Sequence, residues 1–197
     1  MFQFIESIKV EDQKAFLLDL HQQRVRETFA HFGKKCSVDL EKIFKDLEHD
    51  EDGLYKLRIV YDLEGNFRAQ MLPYAFPEIE TFELVENNDF SYDFKSADRT
   101  EFENMKKKAR AQEIIIVKNG QITDTSFSNL LFLKNQTWYT PKSFLLNGIQ
   151  RQNLLKQGKI KETEITLENL NEFSHFQLIN SMNEFNQDFV YSIEELK

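Results

Sequence analysis

The chain has 197 residues, 41% hydrophobic and 29% charged, with a net charge of −8, enough for one large or two small cored domains. That charge argues against nucleic acid and anionic lipid as partners, since both demand a basic surface. Cys36 is the sole cysteine, so no internal disulfide can form and a cytosolic setting is expected. No run approaches the roughly 20 apolar residues of a membrane-crossing helix, and the acid at Glu6 makes the start unlike a signal peptide.

The opening "FQFIESIKV" alternates, with Phe2, Phe4, Glu6, Ile8 and Val10 on one face, and predicts a strand. An acid on that apolar face needs a partner, which the sequence does not name. Leu17 to Phe32 sets Leu18, Val25, Phe29 and Phe32 at helical spacing, with Gly33 where a C-cap glycine belongs. Ser37 to Leu47 predicts a second helix. "LYKLRIVYDLEGNFRAQM" predicts a hairpin turning at Glu64-Gly65-Asn66, with Tyr55, Leu57, Ile59 and Tyr61 on one face and Lys56 and Arg58 on the other. Pro73 and Pro77 break that pattern, and "TFELVE" predicts one more strand.

Beyond Asn87 the texture changes. "ADRTEFENMKKKARAQ" predicts a charged helix with Phe102, Met105 and Ala109 as its inner stripe. "EIIIV" is a short buried strand, "KNG" turns it, and two strands follow. "GIQRQNLLKQG" is a helix bounded by glycines, and "IKETEIT" and "HFQLINS" are further strands. The order implies an α+β chain in two lobes, residues 1–90 and 91–197.

The stretch "NGQITDTSFSNLLF" poses a question. Its turn chemistry is spent at Asn119-Gly120, yet Asp124, Thr125, Ser126, Ser128 and Asn129 form a second polar block at the entrance to the core. Asp124 either caps a turn or is a buried carboxylate opposite a cationic ring nitrogen, held ionised by neighbouring hydroxyls. Lys95, in "YDFKSADR", is either a solvated lysine or a Schiff-base lysine, which needs a partly desolvated amine. Arg24, three residues after His21, is a surface arginine or a phosphate ligand. Gly148 and Ile149 stand at a helix start, where free N–H groups and the dipole favour an anion. "NSMNE" offers Ser181 and further N–H groups. No residues are assigned to a metal.

In order, these pieces resemble the class IV aminotransferase family, the pyridoxal phosphate enzymes of fold type IV. The family's H-x-x-R is "HQQR", which makes Arg24 the phosphate arginine. Its cofactor lysine, followed four residues on by Arg in the lyase branch, is "KSADR", giving Lys95 and Arg99. The segment "ITDTSFSNLLF" sets Asp124 opposite the ring nitrogen, with Ser128 among the cofactor contacts and Asn129 as the structural Asn. "TPKSFLLNGIQR" brings the amides of Ile149 and Gln150 to the phosphate, and "NSMNEF" adds Ser181 and Met182. The resemblance covers nearly the whole chain, with two departures: the ring acid is Asp124 where the family usually has Glu, and the chain is shorter than typical members.

The resemblance implies the two-lobe D-amino acid aminotransferase-like fold, with a small N-terminal α/β lobe and a larger β-rich C-terminal lobe. It implies pyridoxal 5'-phosphate as cofactor, a small amine or amino acid substrate and a homodimer. The Lys95–Arg99 spacing favours a lyase that eliminates pyruvate from 4-amino-4-deoxychorismate to leave 4-aminobenzoate. An aminotransferase on a small amino acid, or a relative that binds the cofactor without catalysis, are the alternatives. Arg58 and Arg99 are the candidates for a substrate carboxylate.

Overall fold

Alternation makes the first strand what the sequence predicts. A computed structural model describes residues 3–48, 53–186 and 189–196; Phe2, expected on that strand's apolar face, lies outside them. In β1 (Gln3–Glu11), Phe4, Glu6, Ile8 and Val10 are all buried. β1 turns into the short β2 (Lys14–Ala15) through Asp12 and Gln13, at φ 48° and 60°. This is a tight hairpin loop without the glycine that usually marks one.

Two helices follow, α1 (Leu18–His31) and α2 (Leu40–Asp46), then antiparallel β3 (Leu54–Asp62) and β4 (Phe67–Pro73). The buried face of α1 is His21, Val25, Thr28 and Phe29; Phe32, expected on that stripe, caps the helix and is largely exposed. The β3–β4 turn is the predicted one, closed by the Asp62 carboxylate, which accepts the N–H groups of Glu64 and Asn66. The sheet order is β2-β1-β3-β4. Phe4, Ile8, Leu57, Ile59 and Tyr61 from one sheet face pack with Val25, Phe29, Leu40 and Ile43 from the helices.

The chain divides into two units, Met1–Phe76 with Phe94–Asp98, and Pro77–Asp93 with Arg99–Lys197. It therefore passes between them three times, not once near residue 90. The segment Phe94–Asp98 belongs to the first unit because it covers the open edge of β1. The Ile5 N–H donates to the Lys95 carbonyl and the Ala97 N–H to the Gln3 carbonyl, both at 2.9 Å.

The second unit holds β5 (Phe82–Glu86), α3 (Thr100–Lys108), β6 (Glu113–Lys118), β7 (Gln121–Thr125), β8 (Asn129–Lys134), β9 (Thr137–Pro141), α4 (Ile149–Lys156), β10 (Lys161–Thr163), β11 (His175–Ile179) and β12 (Tyr191–Ser192). They form two sheets, β5-β6-β7 and β10-β9-β8-β11-β12. The "EIIIV" strand is apolar throughout because both its faces are covered. Ile115 and Val117 pack with Phe132 and Phe176, and Ile114 and Ile116 with Phe102 and Met105. Asn119 and Gly120, at φ 51° and 73°, make the predicted β6–β7 turn. Helix α3 starts three residues later than expected, because the Ala97 N–H is spent on β1 and the Asp98 N–H on Ser96 Oγ. Of "IKETEIT" only Lys161–Thr163 is strand. Among the described residues no helix is long and apolar enough to cross a membrane.

Candidate active site

The candidate residues fall into two sets, one in each unit. In the first, α1 lays His21 and Arg24 against β1, and both reach Glu6. Arg24 donates from Nε to Glu6 Oε1 at 2.8 Å and from a terminal nitrogen to Oε2 at 2.5 Å. His21 Nδ1 lies 2.5 Å from Oε2. An ionised carboxylate only accepts, so Nδ1 carries the proton and Nε2 is an acceptor; Nε2 is buried and has no partner among the described residues. Burial pushes the Glu6 carboxyl up, but the Arg24 charge and the hydrogen bonds from His21 and Arg24 outweigh it and hold the pKa at about 2. Burial also lowers the His21 pKa, and the charges of Arg24 and Lys95 add to that against the pull of Glu6. The ring is neutral.

Lys95, half-buried, sits beside this cluster, its carbonyl bonded to the strand residue before Glu6 and its charge felt by His21. Arg58, on β3, stands in register with Ser7 and Gln70. It faces away from Glu6, because its strand neighbours Leu57 and Ile59 take the core side.

In the second unit the polar block is a hydrogen-bonded floor. Asp124 is buried; its Oδ1 accepts from Asn129 Nδ2 at 2.7 Å, and its Oδ2 accepts the N–H groups of Leu145 and Leu146, both at 2.9 Å. Asn129 also donates to the Leu146 carbonyl at 2.8 Å. Burial raises the Asp124 pKa to about 6, with the bonds from Leu146, Asn129 and Leu145 and the charge of Arg151 pulling the other way. Ser126 is held on both sides: Glu113 accepts its N–H at 2.9 Å, and Arg99 donates to its carbonyl. The Arg99 guanidinium also lies over the Phe102 ring.

Ser128 Oγ accepts from Asn180 Nδ2 at 2.9 Å, and Asn180 Oδ1 accepts the N–H groups of Met182 and Asn183, each at 2.8 Å. The Met182 amide, expected at a phosphate, is therefore spent within its own turn. Ser128 and the Ser181–Met182 turn are thus joined through Asn180, which the motif reading did not single out. The structure supplies the partners of Glu6 and adds Glu113, which no sequence motif marks. The signal for Glu113 was there: an acid opening a fully apolar strand.

Helix α4 begins at Gly148, whose backbone comes so close to Asn129 that an added Cβ would lie 2.0 Å from Oδ1. Neither Gly148 nor a neighbouring side chain caps the helix. Ile149 and Gln150 are buried, and their first-turn N–H groups have no intrahelical partner and no side-chain cap. A buried, uncapped N-terminus calls for an anion, and a phosphate group fits it. A buried carboxylate with only neutral donors calls for a cation, and a protonated ring nitrogen fits the acceptor capacity left on Asp124 Oδ1. The residues present fit pyridoxal phosphate.

The sequence profile described as "Amino-transferase class IV" matches residues 3–186. An uncharacterised protein of Haemophilus influenzae is 32% identical over 187 residues, covering 93% of this chain and 99% of the relative. The crystal structure of a Haemophilus somnus protein provisionally named 4-amino-4-deoxychorismate lyase is 35% identical, with a TM-score of 0.85 over 94% of this chain and 98% of that one. A Mycobacterium tuberculosis protein named a hypothetical aminotransferase, solved with pyridoxal phosphate bound, shares the fold at 15% identity. Its TM-score is 0.76, over 99% of this chain and 81% of that one.

Proposed function

This chain belongs to the class IV aminotransferase family, whose enzymes depend on pyridoxal phosphate, and on that premise we propose that it binds this cofactor and is a lyase. Its reaction is the elimination of pyruvate from 4-amino-4-deoxychorismate, leaving 4-aminobenzoate. The observation that carries the cofactor is the buried, uncapped start of α4 beside the Asn129–Asp124 pair. The choice of reaction is supported by 35% identity over 94% of the chain to the Haemophilus somnus protein that bears the lyase name.

The bound cofactor supplies an electron-withdrawing ring conjugated to the substrate amine. Lys95 would hold the cofactor through its amine, and that amine would serve as the general base for the proton on the carbon that bears the substrate nitrogen. Asp124 holds a negative charge for the ring nitrogen. The N–H groups of Ile149 and Gln150 suit the phosphate, and the family resemblance assigns Arg24, which Glu6 orients, to the same group. Ser181 adds a hydroxyl. The Met182 amide, already bonded to Asn180, has no place in this set. The protein works as a cytoplasmic homodimer.

The test is the visible spectrum of the protein with pyridoxal phosphate, beside Lys95→Ala. A yellow band in the parent that is lost in the variant supports the cofactor and its lysine together. 4-Amino-4-deoxychorismate should then yield pyruvate and 4-aminobenzoate in equal amounts without any 2-oxo acid. A strict need for a 2-oxo acid would make it an aminotransferase, as the fold shared with the Mycobacterium tuberculosis protein also allows. A coloured protein inert to both would sink the catalytic reading.

A further inference from the structure

We propose that Arg58 and Arg68 form a two-point anion site that selects a substrate carrying two carboxylates. The inference rests on the lyase reading for the identity of the reaction, but not for the site itself. In the sheet of the first unit, Arg58 pairs with Gln70 and Val60 with Arg68. The two arginines are therefore diagonal neighbours on one face, with backbones roughly 7–8 Å apart. They line a cleft of about 890 Å³ with Gln3, Gln70 and Ala97, a volume that suits a small ligand. Ala97 and Gln3 are joined by a backbone hydrogen bond, so the cleft reaches the segment that carries Lys95, two residues away.

Neither arginine has a carboxylate partner among the described residues. Ion pairs of arginine among the described residues are those of Arg24 with Glu6 and Arg151 with Glu162. In a chain with 33 acidic residues against 25 basic ones, two adjacent arginines without an acid are a vacancy for external anions. Asp62 also lines the cleft, but its carboxylate is committed to the β3–β4 turn, accepting from Glu64 and from both nitrogens of Asn66. Arg99, the other arginine expected at a substrate, is held by Ser126 and Phe102. The second cation is thus Arg68, on the strand next to Arg58. Each guanidinium takes one carboxylate through two parallel N–H bonds, and the amides of Gln3 and Gln70 supply further donors.

Isothermal titration of the full chain with glutarate and with butyrate tests the site without turnover. Glutarate should bind at least about tenfold more tightly than butyrate, and Arg58→Gln or Arg68→Gln should each remove most of that preference. Arg68→Lys should restore only part, since a point charge lacks the fork. Equal affinity for the two acids, or a preference that survives both substitutions, overturns the proposal. Because the visible cofactor band does not depend on this cleft, Arg68→Gln should keep it. Loss of dicarboxylate preference with the band intact supports the site, whereas an absent band with the preference intact refutes only the cofactor reading.

Discussion

Each unit of this chain buries one carboxylate that the sequence exposes as odd, and the two end in opposite states. Glu6, on β1, meets a guanidinium and an imidazole N–H and is held at about 2. Asp124, on β7, meets two backbone N–H groups and an amide and is pushed to about 6. Both have three donors or more; what differs is a formal positive charge in contact. At Asp124 three neutral hydrogen bonds only soften the cost of burial, whereas at Glu6 a cation in contact overturns it. Glu6 is therefore paired within the fold, whereas Asp124 feels the charge of Arg151 but has no cation in contact among the described residues.

The largest way to break the comparison is to remove the cation from the paired site. Arg24→Ala leaves Glu6 buried with His21 alone, and loss of one partner from a buried pair costs about 3–5 kcal/mol. Urea unfolding at pH 7 should show that loss, and Glu6→Gln in the same background should recover part of it by removing the stranded charge. A loss below about 1 kcal/mol would mean that the ion pair is no more than a surface contact.

Asp124 should show the opposite linkage. Its folded pKa, about 6, lies above the ordinary 3.8, so between those values the folded protein holds a proton that the unfolded chain has released. Stability from this group is then lost as pH rises from about 4 to about 6, by on the order of 3 kcal/mol for a two-unit shift. Asp124→Asn should flatten that slope in the protein free of cofactor. With pyridoxal phosphate bound to the parent, the slope should also flatten, because the ring nitrogen supplies the missing charge. An identical slope in parent and variant would show that Asp124 is ionised without help.

What could be seen in advance follows from the range of each interaction. The alternation that buried Glu6, the helical spacing of His21 and Arg24, and the surplus of polar residues at 124–129 are local patterns and stood in the sequence. The partners did not, because they come from packing: Glu6 meets residues 15 and 18 positions away, and Asp124 meets amides 21 and 22 positions on. The β1–β2 turn was hidden because Asp12 and Gln13 adopt positive φ without a glycine. The start of α3 was misplaced for a similar reason: "ADR" has helical composition, but β1's open edge claims the Ala97 N–H first. Lys95 was expected in the second lobe and joins the first by the same edge.

The smallest expected effect sharpens the comparison inside the paired site, by asking whether His21 is a second cation or a neutral donor. Its pKa is lowered chiefly by burial, so the folded protein resists the proton that the unfolded chain accepts below about 6.5. Its contribution is present above that value and is lost as pH falls through the folded pKa, opposite in sign to the Asp124 slope over an overlapping window. His21→Gln keeps a donor for Glu6 but cannot titrate. In an Asp124→Asn background, where the larger slope is gone, this second change should reduce the residual loss of stability as pH falls below about 6.5. Proton-detected titration of the ring in the parent should find it taking up its proton below the ordinary 6.5, with the hydrogen of the neutral ring on Nδ1. A ring that takes its proton above the ordinary value would make Glu6 the centre of two cations, and Arg24 would then no longer be the one cation in contact that separates this carboxylate from Asp124.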